Sequence, residues 1–297
     1  MEYSKWFTGL AVVITASCIQ AHADTSATHL ADATRMTPYA RDIFMSRQPL
    51  ITNRDVISAS CSGLKDLVVM GCNANSRIFI LEATEPELSG LTESTGAHEM
   101  LHAAYARLSA TERQRVNKLL DTAYRSLDDK DITDRIEKYR NSGEDVLNEL
   151  HSVLGTEVAT LPPELENYYA KYFSLRARVV SFHSYFQQGI ESRHSSVVSY
   201  DQTLDKLKVD IESRHAMLDI QAKQLDQAKL TVEALRKTNQ IGQYNNAVAK
   251  FNALAHAYND GAKEVNDLAD RYKQVEKQRN GTAAEGNRLA ASVGAQN

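Results

Sequence analysis

Hydrophobic and polar positions divide this chain into two regimes. Over 200–237 the apolar positions Leu204, Leu207, Ile211, Leu218, Leu225, Val232 and Leu235 keep three- and four-residue spacing, with polar gaps at Arg214 and Gln221. Over 243–280 Tyr244, Val248, Phe251, Ala255, Tyr258, Ala262, Val265, Ala269 and Tyr272 alternate by four and three, and Asn245, Asn252, Asn259 and Asn266 repeat every seven residues beside them. Such spacing is the seam of a helical coiled coil. Thr238 to Gly242 is the turn-forming stretch between two arms of matched length, each about 57 Å at 1.5 Å per residue. The pattern predicts an antiparallel helical hairpin, expected as a domain over 166–281, with the aromatic stripe as its core. Residues 282–297, small and polar, are expected to be a disordered tail.

The first half mixes periods. Residues 24–60 are weakly patterned, and only a short helix near Tyr39–Met45 can be placed there. Asp66 to Gly71 and Arg77 to Leu81 are β-rich runs flanking the turn-forming set Cys72 to Ser76, which predicts a β-hairpin. A helix to about Leu108 follows the loop holding Pro86 and Gly90. Ser109-Ala110-Thr111-Glu112 then opens another as a capping box, with Val116, Leu119, Leu120, Ala123 and Leu127 on its buried face. Asp128, Asp129 and Asp131 lack the spaced ligand pattern of a calcium loop and read as a solvated turn and helix cap. A short helix marked by Ile132, Ile136 and Tyr139 comes next. A further helix starts near Glu144 and ends before Pro162-Pro163, after which another begins at Glu164.

Composition changes this picture at the N-terminus. Lys5, the apolar stretch Trp6 to Ser17 and the A-x-A site Ala21-His22-Ala23 read as a signal peptide over 1–23, so the expected location is periplasmic or secreted. Thr15-Ala16-Ser17-Cys18 offers the alternative of a lipid anchor on Cys18. No later run reads as a transmembrane helix. Removal of the leader leaves Cys61 and Cys72, an even pair expected to form one disulfide in an oxidising compartment. The net charge is −4 with Lys and Arg dispersed among Asp and Glu, so nothing points to nucleic acid as a partner.

The candidate chemistry lies in His98-Glu99-Met100-Leu101-His102, set in good helix-forming sequence. Positions i and i+4 share a helix face, so both imidazoles can aim at one point, with Glu99 beside them as a general base. Two histidines so placed are two of the three protein ligands that a catalytic zinc needs.

In these residues the chain resembles the H-E-x-x-H zinc metallopeptidases, over 77–157 at most. It is similar also to exported bacterial proteins that combine H-E-M-L-H with a coiled coil. The resemblance implies a zincin-like domain, and that the 77–81 run is an edge strand pairing with extended substrate; an ordinary core strand is the other reading of the same run. Gluzincins complete the site with a glutamate from a downstream helix. Glu149, in a helix body among apolar residues where a bare carboxylate is costly, is the first choice, and Glu157 the second. The pattern departs from many gluzincins at Val153, where an Asp that orients a histidine would stand (Leu161 if Glu157 is the ligand), leaving that role to Ser152 or Asn148. Tyr105 and Leu108 stand where metzincins carry Gly and His, which excludes that subgroup. His151 reads as a histidine satisfied within the fold.

The expected fold class is therefore α+β, mostly α: a zincin-like metallopeptidase domain over 24–165 with a small antiparallel β-hairpin, then a long antiparallel coiled-coil hairpin. The expected function is an exported zinc metallopeptidase acting on a peptide or protein substrate. Zn2+ held by His98, His102 and Glu149 would activate water, and Glu99 would take its proton. The alternative is a periplasmic coiled-coil adaptor or scaffold whose peptidase-like half is not catalytic. In either case the hairpin offers a surface for a protein partner or self-association.

Overall fold

The computed structural model describes residues 27–61, 68–143 and 145–294. The expected signal peptide and the lipidation candidate Cys18 lie outside the described residues. The chain is mostly helical and forms two compact units. One holds the described residues up to Glu191 together with those from Asn287 on, the other Ser192–Gly286.

The first unit opens with a helix over 27–33 (α1), then α2 (Pro38–Ser46), β1 (Leu50–Thr52), α3 (Arg54–Ser60), β2 (Gly71–Ala74) and β3 (Arg77–Leu81). Helices α4 (Leu91–Ala106), α5 (Ala110–Arg125), α6 (Lys130–Ser142), α7 (Val146–Thr156) and α8 (Pro163–Tyr169) follow. α5 begins with the capping box on Ser109 and Glu112, and Asp129 caps α6 through Ile132 N, both as the sequence indicates. α9 (Arg176–Arg236) leaves the first unit for the second, and α10 (Ile241–Ser292) comes back.

The sheet has the order β1-β3-β2, with β1 parallel and β2 antiparallel to β3. Two sequence expectations change here. The first hairpin strand is Gly71–Ala74, so residues 68–70 of the expected 66–71 run are not strand (Asp66 and Leu67 lie outside the described residues), because Asn75 and Ser76 alone make the turn. Both adopt positive φ, 52° and 63°, the conformation of a two-residue hairpin that matches strand twist. The 77–81 strand is central and not an edge: β1, a three-residue strand too short to leave a sequence signal, covers its other side. Ile78 and Ile80 accordingly are fully buried.

α4 is the centre of the unit. It packs on α7, on β2 and β3, and on α2, and it is buried nearly all round from Leu91 to Tyr105. Gly155 lets α7 close on it, since a Cβ there would collide with Leu101 Cδ1 of α4 and lie 2.8 Å from Tyr169 Cε1. This approach sets the distance between the His98–His102 face and Glu149.

The helix expected from Glu164 onward is broken at 170–175 without Pro or Gly. Thr37 N donates to Tyr172 O and Ser174 N to Arg35 O, and Met36 and Phe173 form a β-bridge, so tertiary bonds replace helical ones. Tyr168, Tyr169, Tyr172, Phe173 and Val179 enter the main core. The stretch 166–191 thus belongs to the first unit and not to the coiled-coil domain. The expected disordered tail is also corrected. Helix α10 continues to Ser292, and Leu289 and Val293 are buried against Ile57, Leu81, Leu88, Leu91 and Phe186.

In the second unit the arms run antiparallel. Arg193 pairs with Glu285, Asp201 with Arg279 and Arg214 with Glu264. Leu207, Leu218 and Val265 are its buried seam residues. The turn lies between Arg236 and Ile241, as the periodicity predicts. No helix among the described residues is long and apolar enough to cross a membrane.

Candidate metal centre

His98 and His102 project from α4 with their Nε2 atoms 3.0 Å apart. Glu149, from α7, places Oε1 3.5 Å from His98 Nε2 and Oε2 3.3 Å from His102 Nε2. In a tetrahedral site with bonds of about 2.0–2.1 Å, ligand atoms stand about 3.3–3.4 Å apart. The two imidazoles and the Glu149 carboxylate, one oxygen toward each ring, are therefore close enough to border one small cation.

Glu99 also brings an oxygen within 4.8 Å of the ligand atoms of both histidines. Two carboxylates thus border the same point, but their surroundings differ. Glu149 faces Nε2 of both rings, whereas Glu99 Oε2 is held from the other side by Asn73 Nδ2 at 2.8 Å. Burial raises the pKa of Glu99, with Glu149 adding to it, while the two histidines and the Asn73 bond oppose. A base shifted upward in this way suits proton uptake near neutral pH.

The surroundings orient the ligands. Asn148 Oδ1 lies 3.1 Å from His102 Nδ1, where it accepts the Nδ1 proton and frees Nε2 for a metal. Burial lowers the pKa of His102, but its bond with Glu149 and the charges of Glu99 and Glu149 outweigh this and raise it to about 9. Burial also raises the Glu149 carboxyl, and the two imidazoles more than reverse that, holding it well below the usual carboxylate range. The pocket thus demands a cation, which a proton or a metal ion can supply.

Glu157 stands elsewhere, 4.0 Å from His98 Nδ1 and paired with Arg135, with His183 Nε2 3.5 Å away. It faces the back of the His98 ring and not the point where the Nε2 atoms converge. His151 is fully buried, its Nε2 2.8 Å from Tyr168 Oη, and burial pushes it down to about 3, so it stays neutral in the core. Cys61 and Cys72 form a disulfide with a Cα–Cα distance of 5.8 Å.

His98, Glu99, His102, Asn148, Glu149 and Glu157 line a cavity of about 580 Å³ that also takes in Asn73, Arg135, Tyr139 and His183. None of the four carries a sequence signal for this role. Asn73 sat in a stretch read as turn, Tyr139 in an apolar helix face, and Arg135 and His183 in no motif at all. No family model, curated protein or solved structure matches the chain.

Proposed function

We propose that this protein is an exported zinc metallopeptidase of the H-E-x-x-H type. The observation that carries the reading is the convergence of the His98, His102 and Glu149 donors, with neighbouring donor atoms 3.0–3.5 Å apart and Glu99 beside them in an open cavity. His98, His102 and Glu149 would hold the ion, which supplies Lewis acidity toward water and a peptide carbonyl. Glu99 takes the proton released by the attacking water and delivers it to the leaving amine. Asn148 keeps His102 in the tautomer with Nε2 free, and Glu157 occupies the matching position behind His98. The Cys61–Cys72 disulfide supports a periplasmic or secreted location.

A second reading, a coiled-coil adaptor, draws support from apolar side chains left exposed on α9, among them Val209, Met217, Ile220 and Leu230. Cleavage of a peptide library by zinc-loaded wild type and Glu99→Gln separates the two. Under the peptidase reading Glu99→Gln retains zinc and loses about 10²–10⁴-fold in rate. Equal cleavage by both proteins rejects the mechanism, and silence of the wild type favours the adaptor.

A further inference from the structure

Glu99 has a choice that the peptidase reading leaves open. Its carboxylate lies close enough to His98 and His102 to serve as a ligand itself, yet a general base must keep an oxygen for the proton it takes. Something has to hold it away.

Asn73 is built for that. Its Nδ2 lies 2.8 Å from Glu99 Oε2 and 3.0 Å from the Glu99 backbone oxygen. The backbone oxygen is an acceptor only, so the amide nitrogen and not the oxygen must face α4. The two bonds fix the amide against the helix that bears the base, on the base itself.

The support behind Asn73 is rigid. It sits on β2 opposite Ile78 of β3, two residues before the tight turn. Gly71 brings the strand flush onto α4, since a Cβ there would lie 2.6 Å from Thr95 Cγ2 and 3.1 Å from Glu99 Cγ. Cys72, between them, points to the opposite face by strand alternation and is bonded to Cys61 at the end of α3. The strand is thus held by ladder, turn and covalent bond while two of its residues lie against α4.

We propose that Asn73 is a positioning residue that holds Glu99 off the metal position, so that Glu99 serves as base and not as a fourth protein ligand. This rests on the metallopeptidase reading. Without the Asn73 amide, Glu99 swings onto the ion: metal stays bound and hydrolysis falls. Asn73→Asp does the same by repulsion while keeping the side chain's size, which guards against an effect of lost packing.

The test uses the full chain loaded with cobalt(II), whose visible absorption reports the ligand set. Wild type, Asn73→Ala, Asn73→Asp and Asn73→Ala/Glu99→Gln are compared. The expected result is an altered spectrum in both single variants and a return to the wild-type spectrum when Glu99→Gln is added. Their kcat falls by about 10²-fold with KM nearly unchanged, the scale on which misplacement by about an ångström acts. An unchanged spectrum in both Asn73 variants of a cobalt-binding protein overturns the role of Asn73 and leaves the metal site standing. Failure of wild type to bind cobalt through His98 and His102 overturns both.

Discussion

Arg176 offers the clearest stability test, because it ties the end of the ligand-bearing helix α7 to the start of α9. Its side chain is 6% exposed. Nη1 donates to Val158 O at 2.7 Å and more weakly to Leu154 O at 3.4 Å, and Nη2 donates to Ala159 O at 3.1 Å. Nε donates to Glu166 Oε2 at 2.9 Å and Nη2 pairs with Oε1. Arg176→Met keeps the apolar stem and removes every donor. Glu166, 39% exposed, can return to water, so its share of the cost is small. The buried Val158 carbonyl loses its good bond at about 1–3 kcal/mol, whereas Ala159 is exposed and its carbonyl can return to water, which gives about 2 kcal/mol in all. For a unit of this size that lowers Tm by about 4–8 °C. Calorimetry of the metal-free full chain measures it, and a loss under about 1 kcal/mol would show that water replaces the guanidinium and refute the argument.

Zinc binding must displace the proton of His102, so affinity should fall by about tenfold or more per unit as pH drops from 8 to 6, measured against a competing chelator; a flat profile contradicts the paired site. The sign for the metal-free protein follows from the same raised pKa: the His102 contribution to stability is full below about 6.5 and is lost as pH rises through about 9. Thiol titration of the denatured, unreduced chain should find neither Cys61 nor Cys72 free. Cys61→Ser/Cys72→Ser should cost up to about 3 kcal/mol for a sequence separation of 11, with no loss expected if the bridge does not form.

What the sequence makes legible here is local. The spacing of His98 and His102 and the seam of α10 are set within single helices, and helical periodicity reports them directly. A downstream glutamate is what the gluzincin resemblance implies, the cost of a bare carboxylate in an apolar helix body ranks Glu149 ahead of Glu157, and α7 brings Glu149 to both Nε2 atoms. The parts missed depend on distant chain. β1 exists because β3 needs a second neighbour, the break at 170–175 exists because residues 35–37 bond there, and Leu289 and Val293 are ordered by core residues distant in sequence, Ile57 to Phe186. Asn73 and His183 carry no pattern of their own. Each reaches the cavity only through the packing of its element.

The central claim is that His98, His102 and Glu149 form one metal site, and metal content tests it most directly. After exhaustive dialysis the purified full chain should hold about one zinc, the stoichiometry of a single tetrahedral site. His98→Ala and His102→Ala should hold almost none, Glu149→Gln should bind weakly, and Glu157→Gln should retain its zinc. Full, tight occupancy in His98→Ala or His102→Ala would contradict the account.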